Sequence, residues 1–385
     1  MIRRLPKNNL CLGKDGFKNS VMSLTFAGIA TMSSQAAPTL SGSVEAGYNY
    51  NLSIPTDSTG MVNNGHSYDY KSKTFMLNNA HIAINGSDSA TGLGYNVETD
   101  YGSDAAQNLA VASGGAFSAG LPGYGLDLQE AYLTWAFGPV HAIGLKVGKY
   151  ATYEGIEVVE GGSNPTITRG LLFGFAEPVT HTGLEGSYVT GPVDMHLGVI
   201  NGWDQAVDIN GVPSFVGKMG YSMGDKLGLT VSGIIGAETK NSTDNSRISL
   251  DVTGITKAIP NVDLWFQGNY GSEAKAGVGG KDASWLGFGL QPLIHLNTWF
   301  GLGLRYEYFM DSKLSRTGST FAPVGTVTDL TLQNFSIAPT IWLTKTAMVR
   351  GEFRMDMASE KVFIDRDKNP NGSQMEIASD FILGF

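Results

Sequence analysis

The 385 residues include one cysteine, Cys11, and it lies in a basic stretch near the start. The rest of the chain therefore has no disulfides and no Cys-based zinc or redox centre. No uninterrupted apolar run of about eighteen residues occurs, which excludes an α-helical membrane span. Charged residues make up only 16% of the chain, and runs rich in Ala, Leu, Glu and Lys are scarce, so long helices are not expected. The formal charge of −9 argues against nucleic acid as a partner. The histidines His66, His81, His141, His181, His196 and His295 show neither an HExxH pattern nor paired spacing. No Gly-rich phosphate loop follows a strand and opens a helix, and no cofactor is expected.

Glycine is abundant, with 51 residues, and with Ser, Thr and Asn it suits the polar surface of an all-β chain. A missing helical span does not exclude a membrane, because barrel strands are only about half apolar. The first 36 residues read as an export signal. Arg3, Arg4, Lys7, Lys14 and Lys18 precede the apolar "VMSLTFAGIATM", and small residues with cleavage spacing, Ser34 and Ala36, close it. The expected cut follows Ala36, leaving 37–385 as a single domain. Five basic residues and the acidic Asp15 leave with the signal, moving the formal charge from −9 to −13.

Alternation dominates the remainder. In "LGYNVETDY", Leu93, Tyr95, Val97, Thr99 and Tyr101 take one side of a strand; Gly94, Asn96, Glu98 and Asp100 take the other. A soluble sheet would bury the first set, and an outer-membrane barrel would bury the second. Two-faced segments recur at 40–51, 75–85, 93–101, 127–137, 141–150, 179–188, 193–202, 214–223, 227–237, 247–256, 262–270, 284–293, 298–309, 329–343, 346–356 and 374–385. The segment 75–85 alternates least cleanly. Sixteen strands with connectors alternating short and long predict an antiparallel up-and-down barrel, with short periplasmic turns and long external loops. The last segment, "MEIASDFILGF", alternates up to Phe385 and resembles the terminal signal read by the barrel-assembly machinery. The expected location is the bacterial outer membrane, among its lipid and lipopolysaccharide.

Residues 127–204 are more specific: "QEAYLTW", "GKYATYEGIEVVE", "SNPTITRGLLFGFAEPVTHTG" and "VINGWD". They resemble the OmpL-like β-barrel porin family of Gram-negative bacteria, a likeness that covers essentially the whole mature chain. The resemblance implies a passive diffusion pore for small hydrophilic solutes or ions. The chain departs from the family at 102–126, which is apolar enough to meet a neighbouring subunit, for instance in a homotrimer.

The external connector 151–178 is the third, and in general porins the third loop narrows the lumen. Its "GIEVVE" and "GLLFGFAEP" are too apolar for a loop in water and need a wall to pack on. Glu154, Glu157 and Glu160 would then face the channel, with Arg169 as an internal counter-charge and Lys146 inward on the preceding strand. Parity also turns Glu98, Asp100, His181, Glu185, Arg305, Glu307, Arg350, Glu352, Arg354 and Asp356 into the pore. There they would set ion selectivity or brace the wall. "DRDKNPNGSQME" carries Asp365, Asp367, Asn369 and Glu376 at calcium-ligand spacing, but Pro370 stands where the required Gly should be. "GYSMG", 220–224, matches a nucleophile elbow, yet a strand follows where a helix is required, so no enzyme is expected. The other readings are an adhesin or structural barrel, an outer-membrane lipase or protease, and a secreted β-sandwich.

Overall fold

A computed structural model describes residues 37–54, 63–112, 123–138, 142–321 and 328–385. The signal segment 1–36, with Cys11, and the start of the expected strand at His141 lie outside the described residues. The first strands are β1 (Thr39–Asn51), β2 (Thr74–Asp88), β3 (Leu93–Gly102), β4 (Gly125–Phe137), β5 (Ile143–Ala151) and β6 (Thr180–Thr190). Next come β7 (Val193–Ile200), β8 (Ser214–Met223), β9 (Leu227–Ala237), β10 (Ser246–Thr256), β11 (Val262–Gly277) and β12 (Lys281–His295). The chain continues with β13 (Phe300–Ser312), β14 (Asp329–Trp342), β15 (Ala347–Ala358), the short β16 (Phe363–Ile364) and β17 (Pro370–Asn371), and β18 (Ser373–Gly384). Among the described residues, sixteen strands close one antiparallel barrel in meander order, with β18 pairing β1; β16 and β17 form a separate hairpin in the last long loop. The seam carries Val44 opposite Leu383, and beyond β18 the backbone of Phe385 exchanges two hydrogen bonds with Gly42, at 2.9 and 3.2 Å.

The barrel is apolar outside. In β3, Leu93, Tyr95, Val97 and Tyr101 are exposed, while Asn96 and Asp100 are buried. The same inversion runs around the wall, with Leu133, Leu197, Phe215, Leu250 and Phe288 outward and Glu45, Asp251, Asn269 and Asn334 inward. Only a barrel in lipid gains from that arrangement, because its outer face meets hydrocarbon and its lumen meets water. Alternation at 75–85 is untidy because of a bulge. Glu45 pairs Asn79 and Ala46 pairs Leu77, so Asn78 is left over and parity flips across it. Phe75 points out before the bulge, and Ile82 and Ile84 after it. A second bulge at Gln129 does the same in β4.

Two connectors differ from expectation. The one expected between the segments 262–270 and 284–293 is a tight turn, because β11 and β12 run on to Gly277 and from Lys281, well past the sequence pattern. In 102–126 the described residues hold a helix, α1 (Ser103–Ala112), whose Ala105, Asp104 and Gln107 are buried. It packs on β2, β3 and β4 of its own chain, while Leu109 stays exposed. The 220–224 segment ends β8 and turns directly into β9, as the strand after it requires.

Candidate functional site

The third loop, 152–179, is folded into the lumen. Its short helix α2 (Leu171–Phe175) buries Leu171, Leu172 and Phe175 in a cluster with Trp285 and Phe309 of the inner wall. The wall makes room for it: a Cβ on Gly287 would lie 2.3 Å from Leu172, and one on Gly303 would lie 2.1 Å from the carbonyl oxygen of Pro165. The apolar segment "GLLFGFAEP" therefore has the surface it needs, and burial of this kind is worth about 1.5–3 kcal/mol for each large side chain.

Charged side chains bolt the loop down. Glu352 on β15 accepts from the backbone N–H groups of Ile167 (2.7 Å) and Thr168 (2.8 Å) and from the Thr168 hydroxyl (2.8 Å). Arg305 on β13 donates to Glu157 (3.0 Å), to Thr166 Oγ1 (2.7 Å) and to the carbonyl of Thr168. Arg350 donates to the carbonyls of Gly161 (2.9 Å), Asn164 (3.1 Å) and Thr166 (3.2 Å) while paired with Asp380. Arg354 reaches the Arg169 carbonyl at 2.7 Å and also pairs with Asp356, and Glu307 accepts from Leu171 N–H. Parity had placed these five strand residues inward. Their partner is the loop itself, so they brace it against the wall.

On the opposite wall, Lys146 donates to Tyr153 Oη at 2.8 Å and lies 3.5 Å from Glu185, whose carboxylate also meets His196 Nδ1 at 2.6 Å. His181 is fully buried against the Tyr150 ring, and both its nitrogens lack partners. Glu154 accepts from Ser249 Oγ at 2.6 Å, and Gly155 N–H donates to Asp251 at 3.1 Å. Burial, with the neighbouring Asp251 carboxylate adding to it, pushes Glu154 up to about 8. Arg169 gives its guanidinium to the carbonyls of Val158, Val159 and Ile167, so the counter-charge of Glu157 is Arg305. Asp100 holds His81 at 2.8 Å, and Glu98 accepts from Asn96 at 2.9 Å.

The calcium-like spacing is not assembled. Asp365 caps its own turn through the N–H groups of Asp367 (2.9 Å) and Asn369 (2.8 Å), whereas Glu376 faces the lumen beside His66. Sequence reasoning missed Tyr153 and His81. Tyr153 carries no charge to attract notice, and the Asn78 bulge hid the inward parity of His81.

Beside the loop lies a cavity of about 140 Å³ whose lining includes Glu98, Glu130, Glu154, Glu157, Glu160 and Glu177, against Lys146 and Lys218. A larger vestibule of about 580 Å³, on the side of the long connectors, shares Glu177 and Val179 with it and is lined by Arg247 and Arg316.

A closed lipid-facing barrel with a polar lumen, narrowed by an inserted loop, defines a porin of the bacterial outer membrane, a channel for passive diffusion. The chain belongs to the family described as "Putative beta-barrel porin-2, OmpL-like", whose model matches residues 38–385. In fold it is similar to the DcaP channel of Acinetobacter baumannii, with a TM-score of 0.59, 10% identity and coverage of 90% of this chain and 97% of that one. It is equally similar to an anion-selective porin from Comamonas acidovorans, with a TM-score of 0.59, 9% identity and coverage of 91% and 99%. The trimer form of OmpT from Vibrio cholerae matches with a TM-score of 0.56, 10% identity and coverage of 91% and 99%. No curated protein matches the sequence.

Proposed function

We propose that the third loop sets the limiting aperture of this porin and that its carboxylates make the channel prefer cations. The observation that carries the reading is the cavity lining, six glutamates against two lysines. Both lysines are already matched, Lys146 by Glu185 at 3.5 Å and Lys218 by Asp194 at 2.7 Å. Acidic groups close to the path of an ion raise the local cation concentration where few waters screen them. The test is single-channel recording of wild type and the Glu154→Ala, Glu157→Ala, Glu160→Ala triple variant. Wild type is expected to give reversal potentials on the cation side in a salt gradient, and the triple variant to lose that preference and conduct differently. Anion-side potentials in wild type would sink the preference. Unchanged conductance and selectivity in the triple variant would sink the aperture.

The preference should also depend on pH. With its carboxyl raised to about 8, Glu154 is mostly neutral at pH 6 and charged at pH 9. Cation selectivity therefore rises with pH through that range, and Glu154→Gln should reduce the rise. A wild-type selectivity identical at the two pH values would contradict it.

The apolar belt contacts lipid and lipopolysaccharide, the strand running into Phe385 engages the barrel-assembly machinery, and the solutes are small and hydrophilic. Assembly as a homotrimer fits the trimer form of the OmpT neighbour. The chain performs no catalysis in this reading.

A further inference from the structure

We propose that His81, Glu98 and Glu160 form a site for a divalent transition metal, tying the third loop to the barrel wall beside the aperture. One ligand atom from each lies within 4.8 Å of the others, and they come from three separate elements: β2, β3 and the loop. The histidine is prepared for the role. Its Nδ1 is 2.8 Å from the Asp100 carboxylate, which is itself buried and held by Asn79 at 3.0 Å. An arriving cation displaces the Nε2 proton, Nδ1 keeps its hydrogen on Asp100, and the freed Nε2 lone pair faces Glu98, 3.9 Å away and beyond hydrogen-bonding range. A carboxylate behind an imidazole is the usual support of a metal-bound histidine: it fixes the tautomer and raises the basicity of the free nitrogen.

The three side chains line the same cavity of about 140 Å³, so an ion arrives through the lumen and keeps space for a water ligand. Two carboxylates and one imidazole suit zinc and its neighbours better than magnesium or calcium, which favour all-oxygen sites. Zinc bonds of about 2.0–2.2 Å need the ligand atoms drawn closer together, and rotation of the two flexible glutamates supplies this. A second group, His66 with Asp69 and Glu376, lacks that freedom. Both its ring nitrogens are engaged, Nε2 with Asp356 at 2.7 Å, and Arg354 stands 4.0 Å from Asp69 as the resident cation.

The site goes beyond diffusion, since it lets a metal ion act on the channel. The test is calorimetric titration of the full-length protein in detergent with zinc chloride after chelator treatment. Wild type is expected to show one zinc site that His81→Ala abolishes and Asp100→Asn weakens by about ten- to a hundredfold. Magnesium at equal concentration should give no such binding. Heat-modifiable gel mobility confirms that each variant is folded, and Asp100→Asn keeps the test open should His81→Ala fail to assemble. Identical zinc isotherms in wild type and the folded variants would overturn the proposal. Zinc bound through His81 is also expected to lower single-channel conductance, reversibly on adding chelator. Binding without any change in conductance would uphold the metal site and count instead against the loop as limiting aperture.

Discussion

Arg305→Ala is expected to raise and destabilise single-channel conductance while lowering the unfolding temperature of the barrel. The side chain is fully buried and serves the loop and the wall together. It binds Glu157 (3.0 Å) and Thr166 Oγ1 (2.7 Å) on the loop, and Asn334 (2.7 Å) and Ser336 (3.1 Å) on β14. Removing it leaves the carboxylates of Glu157 and Glu352 without the guanidinium they share. Breaking a buried ion pair from one side costs about 3–5 kcal/mol, and water in the lumen places this case near the lower end. Glu352 still holds Ile167 and Thr168 and Arg350 still holds Gly161, Asn164 and Thr166, so the loop loosens around Glu157 rather than leaving the lumen. Noisy, larger conductance steps in lipid bilayers and an earlier loss of heat-modifiable mobility are the readouts. For comparison, Lys313→Ala at the exposed rim, where the pair with Asp329 is solvated, should change stability by less than about 1 kcal/mol. A folded Arg305→Ala variant with wild-type conductance would show that the clamp does not govern the aperture.

The second large effect separates two adjacent residues on β3. Val97→Lys is expected to destabilise folding into vesicles by about 2–4 kcal/mol, the cost of a cation on the lipid face near the bilayer midplane. Asn96→Lys should be tolerated, because the Asn96 amide already points at Glu98 and Glu130, each 2.9 Å away, and an ammonium there meets two carboxylates. A soluble sheet would show the opposite order, accepting Lys at the exposed Val97 and rejecting it at the buried Asn96. Urea titration of vesicle-inserted protein measures both. Equal midpoints for the two variants would contradict the inside-out assignment.

Much of this molecule is legible before folding, though unevenly. The strands at 214–223 and 227–237 emerge with the bounds the pattern predicts, since nothing disturbs their period of two. At 75–85 the period is broken by Asn78, and no residue type announces a bulge, so the inward turn of His81 was hidden. Parity turns Arg305, Glu307, Arg350, Glu352 and Arg354 inward, where they are buried, but it does not name their partners. Arg169 illustrates the limit: beside three glutamates in sequence it reads as their counter-charge, yet its donors close on carbonyls of its own loop. The helix at Ser103–Ala112 shows the same gap: the sequence marks the segment as apolar but does not record that it packs on β2, β3 and β4.

By itself, then, the sequence determined the barrel: sixteen two-faced strands, their order and which face meets lipid. Backbone geometry gives every strand a period of two, and a meander pairs each strand with its neighbour, so these features are encoded locally. Only the tertiary structure decided what fills the lumen. The contacts that hold the third loop there, such as Glu352 with Thr168, join residues more than 180 positions apart, and no local pattern records which inward charge a returning loop will meet.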